Sequence, residues 1–175
     1  DQFVEAFVEE VASYTIGDPM MQDVFIGPLT RGAQLAVLDG QVKDALAKGA
    51  TLRLGGHALE NMGHYYAPTV FEHCNHEMEL MKEETFGPLI GIQKVTSDDE
   101  AIRLMQDTTY GLTAAVYSSN QDRAMAILEK MDTGTVNWNC CDRVSPNVPW
   151  SGRKNSGLGS TLSAQGIRAF VQSKA

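Results

Sequence analysis

Between Leu89 and Trp138 the chain alternates short apolar runs with capped amphipathic stretches, and this alternation limits the folds open to it. Leu89 to Val95 reads as a strand that follows a Gly-Pro stop. Ser97-Asp98-Asp99-Glu100 has the form of a capping box and opens a helix carrying Ile102, Leu104 and Met105 before Tyr110-Gly111. Ala114 to Tyr117 reads as the next strand. Asn120 caps a second helix with Met125, Ile127, Leu128 and Met131 on its inner side, and Gly134 to Trp138 is the following strand. Strands joined through helices by short connections run parallel, and parallel strands need helical cover. The expected fold class is therefore α/β, with a parallel βαβαβ sheet flanked by helices.

Upstream, Phe3, Val4, Phe7, Val8 and Val11 recur at helical spacing, with Asp1 available as N-cap. Gly17-Asp18-Pro19 breaks that helix. Thr30 is placed to cap the next one, in which Leu35, Leu38, Val42 and Leu46 form one apolar stripe ending at Gly49. Thr51 to Leu54 and Thr69 to Phe71 are short strands separated by a loop over 57–66. Residues 142–160 are rich in Gly, Pro and Ser and read as a long loop, and Ile167 to Ala175 as a docked helix end or strand.

A chain of 175 residues, 43% hydrophobic, can bury one sizeable core, so residues 1–175 are expected to form a single globular unit. The net charge of −8 and a pI near 4.9 exclude a nucleic-acid or anionic-membrane partner of the usual kind, since both require a clustered basic face. No apolar run approaches the roughly 20 residues of a membrane span, and Asp1-Gln2 does not open a signal peptide. Three cysteines make no even-numbered disulfide framework. Together these features lead to the expectation of a cytoplasmic protein.

Few side-chain clusters carry chemistry. Cys140-Cys141 lies at the end of a strand expected to be buried, with no activating neighbour beyond Arg143, and is read as structural. His73, Cys74 and His76 lack a further ligand pair at zinc spacing, so no metal is expected. His57 and His64 flank a loop and are expected in solvent. Gly157-Leu158-Gly159 starts like a dinucleotide fingerprint but follows a loop, and it reads instead as a tight bend in which Asn155 and Ser156 bond to backbone. The densest combination is Lys82-Glu83-Glu84-Thr85-Phe86-Gly87-Pro88. Adjacent Glu83 and Glu84 point to opposite sides of an extended chain and cannot share one substrate. Glu84 and Phe86 are expected at the mouth of the strand that follows, where α/β sheets tend to bind ligands.

That stretch resembles the signature that aldehyde dehydrogenases carry downstream of their catalytic cysteine. Ile26-Gly27-Pro28-Leu29, Gly55-Gly56, Ala67-Pro68-Thr69-Val70, Tyr110-Gly111-Leu112-Thr113-Ala114, Gly134-Thr135-Val136-Asn137 and Lys154-Asn155-Ser156-Gly157-Leu158-Gly159 fall in the family's order. The resemblance is to the C-terminal portion of the catalytic domain. It implies a parent enzyme that oxidises an aldehyde to a carboxylic acid with NAD or NADP, as a homo-oligomer. The nucleophilic cysteine, the general base and the nucleotide-binding domain would lie upstream, leaving no catalytic residue in this chain. By the same resemblance Glu84 accepts hydrogen bonds from the nicotinamide ribose hydroxyls, Phe86 packs near the nicotinamide ring, and Val144 lines the aldehyde tunnel, with Trp150 packing inward. Asn139-Cys140 matches the family's Asn-Cys pair, which is not the nucleophile. Ser160-Thr161 departs from the charged pair usual after the glycine bend. Two other readings stay open: a non-catalytic assembly or binding module derived from the family, and an unrelated enzyme using Cys140 or Cys141 with His73.

Overall fold

A computed structural model describes every residue except Asp1, Asn61, Met62, Asp142, Ser173 and Ala175. The expected Asp1 cap lies outside the described residues. The chain forms two compact units, residues 1–94 and 95–175.

In the first unit, α1 (Gln2–Ala12) and α2 (Ala33–Ala47) precede β1 (Thr51–Leu54), β2 (Thr69–Glu72), a 3-10 turn (Glu79–Met81) and β3 (Leu89–Gly91). The sheet order is β1-β2-β3, with β1 antiparallel and β3 parallel to β2. A bulge at Arg53 interrupts the β1–β2 register and lets its guanidinium bond to Glu72 on β2 and, at 2.7 Å, to Glu5 on α1. The core joins α2 to this sheet through Leu38, Val42, Ala45, Tyr66, Phe71, Met78 and Leu89. Helix α2 departs from the expected pattern at both ends. Its N-cap is Gly32, with no side-chain cap, in place of Thr30. Leu46 is exposed, and the buried face is completed by Gln34 and Gln41. The sheet lies against Leu38, Val42 and Ala45, so the face it covers is rotated away from Leu46.

Tyr66 is buried at 1% exposure and donates to Asp39 Oδ1 at 3.0 Å. Burial first, then the bond to Asp39, raises its phenol well above the ordinary value. The raised folded-state value means that the protonated phenol stabilises the fold fully below about pH 10, where the unfolded phenol titrates. This contribution is lost as pH rises beyond that point. Melting temperature is therefore expected to fall more steeply above pH 10 in the native chain than in Tyr66→Phe; parallel curves would contradict the placement.

In the second unit, α3 (Asp98–Gln106), β4 (Tyr110–Gly111), β5 (Thr113–Val116), α4 (Gln121–Leu128), β6 (Thr135–Trp138), β7 (Arg153–Lys154) and α5 (Ser163–Arg168) follow in order. Ser97 accepts from the Glu100 amide at 3.1 Å, and the Glu100 carboxylate returns a contact to Thr96, one residue earlier than in the usual box. Asn120 caps α4 through the Arg123 amide at 3.0 Å. β5 and β6 pair in parallel across α4, in register Thr113↔Thr135 to Val116↔Trp138, which is the βαβ arrangement.

The fold is α/β, with small parallel and mixed sheets flanked by helices. The strands of the expected βαβαβ run fall in two sheets, because β3 ends at Gly91 and pairs with β2. Within the expected loop over 142–160, the described residues 143–160 are more ordered than a loop. Arg153–Lys154 pairs with Tyr110–Gly111, and Trp150 exchanges two backbone hydrogen bonds of 2.8 Å with Thr161. Gly134 lies so close to Ser151 that a Cβ there would stand 1.6 Å from its carbonyl oxygen.

Candidate functional site

The site is built on the segment between the 3-10 turn and β3. After Met81 the chain has no regular structure until Leu89, and Pro88 closes the segment by accepting from the Thr69 amide at 2.7 Å. Phe86 takes φ 44, in the left-handed region that a bulky residue rarely enters. The next residue has no side chain for a reason visible in the packing: a Cβ on Gly87 would lie 2.8 Å from both methyls of Leu38. The segment thus lies directly on α2. Gln34, on the inner face of α2, donates from Nε2 to the Thr85 carbonyl at 2.6 Å, and its Oε1 accepts from Arg31 at 3.5 Å.

Glu84 and Phe86 flank that anchored carbonyl and both face solvent, Phe86 at 75% exposure. The Phe86 ring, Thr30, Arg31 and Gln34 line a cavity of about 310 Å³. The lining joins an exposed aromatic face, a hydroxyl and a guanidinium, and Glu84, two residues before Phe86 and outside that lining, offers an exposed carboxylate able to accept two hydroxyl protons. Such groups suit a planar ring that carries hydroxyls. The segment sits at the amino end of β3, not at the carboxyl end where ligands bind open α/β sheets. Its placement comes from α2, through Gln34.

Val144 is 54% exposed in the second unit, between Arg143 and Ser145. Asp142, which opens this segment, lies outside the described residues. Trp150 is half-buried through its pairing with Thr161, so Thr161 keeps a backbone role without the family's charged pair. At the exit of β6, Asn139 takes φ 51, and its side chain bonds both the amide and the carbonyl of Ser118 at 2.9 and 3.1 Å.

Cys140 is half-buried and Cys141 exposed, so the pair does not end a buried strand; Cys74 alone of the three is buried, and burial pushes its thiol up. All four histidines belong to the first unit. His73 and His76 are occupied near Thr51 Oγ1 and Gln93 Oε1, and His57 and His64 are exposed. Among the described residues, no group of three His, Cys, Asp or Glu could hold a metal ion. Gly157 and Gly159 take positive φ around a fully exposed Leu158, and Ser156 Oγ accepts from the Gly111 amide at 2.9 Å, which makes this stretch the expected bend. No helix among the described residues is long and apolar enough to cross a membrane.

Thr30, Arg31 and Gln34 were missed as site residues by sequence reasoning. The available signal was a glutamine one turn before Leu38, on the face of α2 that otherwise carries the core.

Residues 1–175 match the model of the aldehyde dehydrogenase family, and the chain belongs to that family. It is 37% identical over 174 residues to an NADP(+) succinate-semialdehyde dehydrogenase of Deinococcus radiodurans, covering 99% of this chain and 36% of that protein. The lactaldehyde dehydrogenase of Escherichia coli superposes with a TM-score of 0.94 at 32% identity, over 98% of this chain and 36% of the other. A betaine aldehyde dehydrogenase of Staphylococcus aureus, solved in complex with NAD+, gives 0.92 at 30% identity, over 97% and 35%. The chain therefore spans about a third of the length of the relatives it matches.

Proposed function

We propose that this chain is the C-terminal portion of the catalytic domain of an NAD(P)-dependent aldehyde dehydrogenase, and that its part in the reaction is to hold and orient the cofactor while shaping the aldehyde path. The observation that carries this reading is the Glu84–Phe86 turn, presented beside a cavity on α2. When bound, the nicotinamide supplies a two-electron acceptor for the hydride that leaves the substrate carbon. Glu84 accepts from the vicinal ribose hydroxyls, and the Phe86 face shields one side of the ring from water. Val144 lines the approach of the aldehyde. Nucleophilic attack and water activation fall to an upstream cysteine and glutamate, so no residue of this chain is assigned a bond-making role.

The relatives' names support an aldehyde substrate and a nicotinamide cofactor for the parent. Each unit also exposes apolar side chains, Phe3 at 63% on α1 in the first, and Ile167 at 70% and Phe170 at 85% around α5 in the second. Surfaces of this kind suit cover by the remainder of a longer protein or by further copies, in keeping with a homo-oligomer.

Spectrophotometry tests the reading. The purified 175-residue chain should form no NADH or NADPH from short aldehydes above background. The full-length protein should do so, and turnover by the short chain, or none by the long one, would overturn the proposal. The second outcome would favour the assembly module.

A further inference from the structure

We infer that Gln34 is a positioning residue for the cofactor, acting through the Thr85 carbonyl to set the directions of Glu84 and Phe86; this rests on reading those two residues as the cofactor contacts. Thr85 stands between them, and its carbonyl belongs to the peptide plane that begins the backbone of Phe86. Fixing that oxygen fixes the plane on one side of the Phe86 N–Cα bond, and with the Gly87 side held by Leu38 the rotation about that bond is set. Phe86 needs such a constraint, because φ 44 is a conformation that an unconstrained phenylalanine leaves for the extended or helical regions.

The geometry supplies the constraint from one rigid element. Gln34 lies in the first turn of the fifteen-residue α2 at 7% exposure, so little water competes for its amide. Its Nε2 holds Thr85 at 2.6 Å across 51 residues of sequence, while Arg31 engages its oxygen and settles the amide orientation. One turn further along, Leu38 packs against Gly87. The segment is thus held on both sides of Phe86, by a hydrogen bond before it and a close contact after it. Without the Gln34 amide only the contact at Gly87 would remain. The Thr85–Phe86 peptide could then rotate, carrying the ring away from the cavity and changing its direction relative to the Glu84 carboxylate.

The test uses the full-length enzyme and Gln34→Met, which keeps the length and approximate volume of the side chain and removes its donor. Amide hydrogen exchange over 84–87 should accelerate about tenfold, while β2 and the body of α2 keep their protection. The dissociation constant for NAD(P), read by titration without aldehyde, should rise about tenfold, with the aldehyde KM unchanged. Gln34→Glu carries the same test if the methionine variant does not fold. Its carboxylate opposes the Thr85 carbonyl near neutrality and donates to it once protonated, so cofactor affinity should recover on acidification, which a purely structural role would not produce. Unchanged exchange over 84–87 overturns the anchoring itself. Faster exchange with unchanged cofactor affinity overturns the assignment of Glu84 and Phe86, and with it the positioning role.

Discussion

Phe71→Ala is expected to remove about 3–5 kcal/mol of folding stability from the chain. The ring is completely buried, on the central strand β2, whose Phe71 pairs with Leu52 on β1 and Gly91 on β3. The ring belongs to the first unit's core cluster, with Leu38, Tyr66 and Met78, which are also sealed from solvent. Truncation removes the transfer energy of the ring and leaves a cavity that a three-stranded sheet pinned by α2 cannot collapse to fill. A domain with about 5–15 kcal/mol in total has little to spare. Phe71→Leu, which keeps most of the volume, should cost much less. Urea unfolding followed by circular dichroism measures both, and a loss below about 1 kcal/mol for the alanine variant would show that the ring is not enclosed as described.

In the full-length enzyme, Glu84→Gln is expected to lower kcat/KM for the aldehyde oxidation about 100-fold, the scale on which a misplacement of roughly 1 Å acts. The substitution keeps size and shape but removes the charge and one of the two equivalent acceptors that would take the vicinal hydroxyls. Glu84 is exposed, so the melting temperature should stay unchanged. The pH profile of kcat should keep its form, because the carboxylate orients and does not exchange protons with the substrate. Unchanged kcat/KM with unchanged cofactor affinity would remove Glu84 from the site. A profile that loses one limb would assign it an acid or base role instead.

The features legible in the sequence were those with local causes. The caps at Ser97 and Asn120 are single hydrogen bonds spanning three residues, so the sequence places them directly. Thr51–Leu54 is a short β-rich run closed by glycines, and it forms a strand over those residues. Motif order along the chain was enough to identify the family resemblance, because such motifs are matched residue by residue whatever their spatial arrangement.

What only the tertiary structure decided was pairing and burial across distance. β3 pairs with Thr69 to Phe71 of β2 and ends at Gly91, with backbone bonds from Ile92 to Phe71 and from Cys74 to Ile92 just beyond, and the apolar run from Leu89 to Val95 had no way to announce where that pairing stops. β4 and β7 are two residues each, too short for a period of two to register, and they exist because Tyr110–Gly111 and Arg153–Lys154 find one another. Gln34 reads as a polar interruption of an apolar stripe until the Thr85 carbonyl, 51 positions away, is seen to accept its amide. A strand edge or a buried amide is defined by the group it bonds, and sequence spacing holds no record of which distant group that will be.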